Sequence, residues 1–186
     1  ISVGVGGAGV AAVSAVAYGN IITNDVKSIV SDTSTLDAAE EISISASDDS
    51  AIRSVGLSIA ASGILAGSII GAANVITNTV TGGISDSTIL GGTDLNLSAL
   101  SDSDIYSFTG GVAASGALAA QISVSGNIIN NETTAKIKKS NIEITGKADV
   151  LATDSSKIDS IAVGVSASGA ASAGAALSGN YIENTV

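Results

Sequence analysis

Asp102 and Asp104, two carboxylates two residues apart, are the closest approach in this sequence to a catalytic pair. Paired carboxylates carry out glycoside hydrolysis when one acts as acid and the other as nucleophile or base. The chain has no His and no Cys. It therefore has no imidazole base, no thiol nucleophile, no Ser-His-Asp arrangement and no thiolate metal site. The two aspartates lie in a polar, acidic stretch and are expected to be solvated turn residues, so the chain is expected not to be an enzyme. Cation binding is the second chemistry within reach. Asp48, Ser101 and Asp154 are each 53 residues apart, as are Asp49, Asp102 and Ser155. Carboxylates stacked at one place repel unless they are separated, solvated or bridged by a cation. Asp48, Asp49, Asp102 and Asp154 are the candidates for a structural calcium. The Gly-Gly-x-Gly-x-Asp signature of calcium rolls is incomplete, because Gly91-Gly92-Thr93-Asp94 lacks its third glycine. A structural calcium and a solvated acidic edge both stay open, and no other cofactor is expected.

The same spacing governs the whole chain. Asn20-Ile21-Ile22-Thr23-Asn24 recurs as Asn74-Val75-Ile76-Thr77-Asn78, as Asn127-Ile128-Ile129-Asn130-Asn131 and as Asn180-Tyr181-Ile182-Glu183-Asn184. The steps are 54, 53 and 53 residues, with one extra residue between Asp32 and Leu36. Ile52, Ile105 and Ile158 keep the step, as do Gly9, Gly63, Gly116 and Gly169 after that one-residue offset. The 186 residues thus read as a single repetitive segment, with repeats 1–53, 54–106 and 107–159 and a partial repeat 160–186. No leader segment is visible and Ile1 falls in mid-pattern, which predicts a piece of a longer array.

Each repeat has an uncharged half rich in small residues, such as 54–78, and a half that carries nearly all the charge. Alternation of period two, as in Ile42/Ile44/Ala46 and Leu95/Leu97/Ala99, is strand spacing with one face inward. Asp48-Asp49-Ser50, Gly82-Gly83, Gly91-Gly92, Ser101-Asp102-Ser103 and Asp154-Ser155-Ser156 read as turns between strands. Strands at fixed phase in successive repeats stack, so the predicted fold is all-β, a parallel β-solenoid of 53-residue repeats. A repeat of that length is long for one coil, and two coils per repeat are expected. Like residues then fall on like residues. Asn20, Asn74, Asn127 and Asn180 form one candidate ladder, and Asn24, Asn78, Asn131 and Asn184 a second, placed at bends. The competing reading is that these asparagines simply tolerate turn dihedrals.

Composition narrows the function classes. The chain has one Phe, three Tyr, no Trp and no Met, so its core must be built of Ala, Val, Ile and Leu in thin layers. The net charge of −10 repels nucleic acid, and no nucleic-acid partner is expected. Segment 54–85 is free of charge and long enough to cross a bilayer as a helix, with Gly63/Gly67/Gly71 at helix-contact spacing. A helical membrane protein is therefore the rival fold, disfavoured by the Gly and Ser content and by the strand-like alternation of the related segments.

The run Val163-Gly164-Val165-Ser166-Ala167-Ser168-Gly169-Ala170, the Asn-Ile-Ile-type segment after it and the strand Asp94–Ala99 behind Gly91-Gly92 carry a resemblance. Together they resemble the repeats of very large secreted bacterial adhesins of the filamentous-haemagglutinin-like and leukotoxin-type filamentous kind. The resemblance implies a right-handed parallel β-helix, export to the cell surface, and a role in attachment or as a stalk. No site residues transfer from that family. The function expected is a structural repeat region of an extracellular fibre, stalk or adhesin, whose partners are neighbouring repeats or identical subunits. The alternatives are a module for surface glycan or host protein, or a calcium-stabilised surface layer. A glycan face needs exposed aromatics, and Tyr18, Tyr106, Phe108 and Tyr181 are scattered along the chain.

Overall fold

The computed structural model describes residues 1–186 and contains strands and no helix. Eleven strands follow one another: β1 Ser2–Ala8, β2 Ala11–Val30, β3 Thr35–Ala38, β4 Ile42–Ser62, β5 Leu65–Ser85, β6 Thr88–Gly91, β7 Leu95–Ser115, β8 Leu118–Lys138, β9 Asn141–Glu143, β10 Ala148–Ser168 and β11 Ala171–Thr185. They form three parallel sheets, in the orders β1-β4-β7-β10, β11-β8-β5-β2 and β3-β6-β9. The fold is a parallel β-solenoid, as the alternation and the repeats predict.

Pairing fixes the coil. Ile42 pairs with Leu95, and Leu95 with Ala148; Leu65 pairs with Leu118, and Leu118 with Ala171. Each step is one repeat, so one repeat makes one coil, and the expected two coils per repeat are corrected. The expectation failed because the strands are unusually long. β4, β5, β7 and β8 have 21 residues each, about 70 Å at strand rise, where most strands have five or six residues. Two such strands and one short one use up the whole repeat. The extra residue of the first repeat sits at a corner. Val30 pairs with Ile84, 54 residues on, whereas Thr35 pairs with Thr88, 53 on. Asp32 and Thr33 there both have positive φ, where the later coils place only Asp86 or Lys139 in that region.

Most of the expected turns are strand interior. Asp48-Asp49-Ser50, Ser101-Asp102-Ser103 and Asp154-Ser155-Ser156 lie inside β4, β7 and β10, and Gly82-Gly83 inside β5. Polar residues there alternate between the two faces instead of breaking the strand. Of the five, only Gly91-Gly92 marks a corner, with φ of 73° and 77°. The helical reading of 54–85 is likewise corrected, since that segment ends β4, turns and forms β5. No helix is long and apolar enough to cross a membrane.

Each coil is a flattened wedge. At its base the short third sheet props the two long sheets apart, and large side chains fill the gap: Ile42, Ile44, Ile84, Ile89, Leu95 and Leu97. Further along come Ala46, Val80 and Ala99, and then a layer of Ile52, Ile76, Ile105 and Ile129. Near the far end the apolar layer is Ala60, Ala66, Ala113 and Ala119, with Ser58 and Ser68 buried beside it. The third sheet at the base and the two-residue turn at the tip set where large side chains and where small ones fill the space between the long sheets.

At the tip the chain reverses in two residues, Gly63-Ile64 between β4 and β5. The reversals stack directly. Gly63 N–H donates to Gly9 O (3.2 Å), and Gly116 N–H to Gly63 O (3.1 Å). A Cβ on Gly116 would sit 2.1 Å from the Gly63 carbonyl oxygen, a backbone atom that cannot rotate away. Gly116→Ala must therefore open the stack at the tip, at a cost of about 1–3 kcal/mol. Urea unfolding should show that loss for Gly116→Ala and little for Gly126→Ala, whose Cβ would meet nothing within 4 Å.

Candidate functional site

The two asparagine columns lie in mid-strand on the inner face of the second sheet, not at bends. Asn74, Asn78, Asn127 and Asn131 are essentially inaccessible to solvent. In the first column each carboxamide nitrogen donates to the carboxamide oxygen of the next coil: Asn20 to Asn74 at 2.8 Å, Asn74 to Asn127 at 2.8 Å, Asn127 to Asn180 at 2.9 Å. Asn74 Nδ2 also donates across the interior to Ser54 Oγ (3.0 Å). The second column is built differently. Asn78 Oδ1 accepts from the Asn24 backbone N–H, and Asn131 Oδ1 from that of Asn78, both at 3.2 Å. Its carboxamide nitrogens reach over to the first sheet.

There they meet two of the calcium candidates. Asp48 is buried and accepts from Asn24 Nδ2 (2.7 Å), Asn78 Nδ2 (2.6 Å) and Ser50 Oγ (2.7 Å). Asp154, two coils on, accepts from Thr133 Oγ1 (3.1 Å), Ser156 Oγ (2.9 Å) and Asn184 Nδ2. Neutral donors thus satisfy both carboxylates in the wedge interior, and hydrogen bonds to an ionised acceptor are the stronger kind. Asp49 and Asp102 pair with each other and face outward from the first sheet. Alternation along the strands therefore splits the four candidates between two sides of one sheet, where they cannot converge on one ion. No group of three or more His, Cys, Asp or Glu gathers as a metal site anywhere in the chain. Asp102 and Asp104 both point into solvent from the outer face of β7.

The aromatic residues, scattered in the chain, come together in the fold. Tyr106 pairs with Arg53 on one side and Asp159 on the other, and Asp104 pairs with Ala51 and Lys157. These side chains line a shallow groove on the outer face of the first sheet. Phe108 stands two residues nearer the tip and lies over Gly110. Tyr181 is at the same height on the opposite outer face, since it pairs with Ile128 beside the Asn74–Ser54 crossing. Tyr18 fills the interior there, its hydroxyl donating to Phe108 O (3.3 Å) over the open face of Gly56. Sequence reasoning missed this band, although the 53-residue step already brings Tyr106 and Asp159 to the phase of Arg53. Local charges tune it. Lys157 donates to Asp159 (2.6 Å), and that bond with its carboxylate charge raises the ammonium pKa above its ordinary value. The bond from Tyr181 to Glu183 (2.8 Å) likewise raises the phenol pKa.

Compared with known proteins, the chain matches no family model, no curated protein and no solved structure.

Removing Asn74 breaks the ladder in both directions and strips Ser54 of its donor. Asn74→Ala should destabilise the chain by about 2–4 kcal/mol, because each orphaned buried partner costs about 1–3 kcal/mol. Asn20→Ala, at the end of the ladder, breaks one bond and should cost less than half as much in the same urea titration.

Proposed function

We propose that this chain is a structural, non-catalytic segment of a longer array that forms an extracellular fibre or stalk of a bacterial surface adhesin. The observation that carries the reading is the polarity of the asparagine ladder. Its direction is constant through four coils, leaving Asn20 Oδ1 free at one end and Asn180 Nδ2 free at the other. Each free end complements the other, so a further coil or a second copy continues the same ladder head to tail. The parallel sheets end the same way, with open strand edges at β1 and β2 and at β10 and β11. The neighbour that such edges fit is another coil of the same kind. Stability in such a stack is close to a sum of neighbour contacts, which suits a stiff projecting rod.

Appending copies of residues 134–186 after Val186 adds coils in phase. One added coil should raise both the urea midpoint and the slope of the unfolding curve. Ten should lengthen the particle by about 48 Å as a straight rod in electron micrographs. An unchanged midpoint, or a flexible string of beads, would overturn the reading.

A glycan-binding face is the second reading, and the Tyr106 groove favours it. An exposed aromatic flanked by Asp104, Lys157 and Asp159 offers a sugar both a stacking surface and hydrogen-bonding groups. Binding on a glycan array that is lost in Tyr106→Ala would support it; binding that survives the substitution would exclude this groove.

A further inference from the structure

Between the aromatic band and the tip, the usual distribution of side chains is reversed. In the base half, outward positions of the first sheet carry Ser43, Ser45, Asp49 and Arg53, while Ile42, Ile44 and Ile52 point inward. Beyond Arg53 every outward position on both long sheets is apolar or glycine, across all four coils. On the first sheet these are the alternate positions of 55–61, 108–114 and 161–167, with Val3, Val5 and Gly7. On the second they are the alternate positions of 11–21, 65–75, 118–128 and 171–181. Ile59, Ile69, Val112, Ile122 and Val163 are each about two-fifths to one-half exposed. The hydroxyl and amide side chains of these strand segments all face inward. There Ser58 donates to Ser14 (3.0 Å), Ser68 to Ser58 (2.9 Å) and Ser123 to Thr109 (2.9 Å).

Four further features bear on what covers this surface. First, the apolar region wraps both faces and the tip, where Val10 and Ile64 are more than half exposed. A single second copy covers one face; an enclosing apolar medium covers all of it. Second, the region is free of charge from Arg53 to the tip at Gly63, ten residues or about 33 Å of strand, close to the ~30 Å of a bilayer's hydrocarbon core. Third, Tyr106, Phe108 and Tyr181 lie at its border on the outer faces, with Arg53, Asp104, Lys157 and Glu183 at or just below it. Aromatics sit in this way where a protein crosses from hydrocarbon to water. Fourth, the turns at the tip leave few bare backbone groups on the flanks. Gly63, Ile64 and Leu65 donate to the coil before, and Gly116, Ala117 and Leu118 to Gly63 and Ile64. Hydrocarbon requires that satisfaction of the backbone; the inner coils have it, and the edges of β1, β2, β10 and β11 have it once a further coil continues the stack.

We propose that the tip half of the wedge is a lipid-inserting edge, embedded in a bilayer up to the aromatic band while the charged base stays in water. The proposal goes beyond the fibre reading and rests on it at the two ends of the stack, where a further coil covers the open edges. Neutral phosphatidylcholine is the lipid of choice for the test, because the chain's own net charge of −10 disfavours anionic surfaces.

The chain has no tryptophan, so single substitutions report position. Ile122→Trp is placed on the outer face near the tip and Leu100→Trp on the outer face of the base. With phosphatidylcholine vesicles, Ile122→Trp emission should shift to the blue and be quenched by lipids brominated in the acyl chains, while Leu100→Trp stays unchanged. Val112→Lys leaves the interior untouched and should keep the strand circular dichroism, yet lower the vesicle-bound fraction by roughly tenfold or more. Binding unchanged by Val112→Lys, or equal quenching of both tryptophans, would overturn the proposal. So would a blue-shifted Ile122→Trp without lipid together with a dimer in sedimentation, which assigns the surface to a second copy. Coil addition is read by the urea midpoint and the particle length, insertion by quenching depth and the bound fraction, so the two readings fail by different measurements.

Discussion

Parallel backbone hydrogen bonding between strands one repeat apart is the constraint on which everything else in this protein depends. Of 124 backbone hydrogen bonds, 106 lie within the sheets, so the ladder direction, along the stack, is where the structure is tied together. Side chains are then forced into columns. A residue that suits one coil must suit the coil above, since its nearest neighbour across the ladder is its own counterpart. That explains why glycine recurs at the tip, where a Cβ on Gly63, Gly116 or Gly169 strikes the carbonyl oxygen of the coil before, and why isoleucine recurs at Ile52, Ile105 and Ile158. It also explains why asparagine can be buried at all. A lone interior carboxamide forfeits its hydrogen bonds, as buried Gln121 does, whereas Asn74 and Asn127 each find a donor and an acceptor in their column.

The same constraint permits an unusual division within one coil. Because the backbone is satisfied between coils, the side chains need not form one apolar core to hold the sheets together. The base does so, with large aliphatic residues beneath the third sheet. The tip uses mostly small residues and hydroxyls inside, with Ile70 and Gln121 as the large exceptions, and places its other branched aliphatic residues outside. Asn74, Ser54 and Tyr18 occupy the interior at the changeover, at the height where the outer faces carry Tyr106 and Tyr181. A boundary marked at one level on the inside and on both outer faces is a property of the folded coil. No single strand carries it.

Stacked acids illustrate how the interior handles charge. Asp48 and Asp154 are two coils apart, with Ser101 between them. The alternation of acid and serine keeps like charges from adjacent coils, and the asparagine column opposite turns donors toward each carboxylate. Repulsion between neighbours is thereby avoided within the chain's own neutral groups.

Much of the architecture was legible in the residues themselves. A fixed step is visible wherever a residue type recurs, and period-two alternation is visible within any strand, so the parallel solenoid and its columns followed from the sequence. The corner insertion between Asp32 and Leu36 was legible too, because it shifts the step by one. The coil count was not, since a step shows how far apart equivalent residues are and not how the chain between them is folded. Strands of 21 residues lie outside the ordinary range, and only the pairing of Ile42 with Leu95 decides the matter. The height shared by Tyr106 and Tyr181 was hidden for a related reason: they lie on different sheets, brought level by a turn whose position repetition does not specify. Least legible was which face is inside. Alternation defines two faces of a strand, and the rule that apolar side chains go inward puts the aliphatic residues of 55–75 in the core. The folded chain places every valine, leucine and isoleucine of that segment except Ile70 outside, because the two long strands meet in a two-residue turn at the tip, where serine and alanine line the space between them.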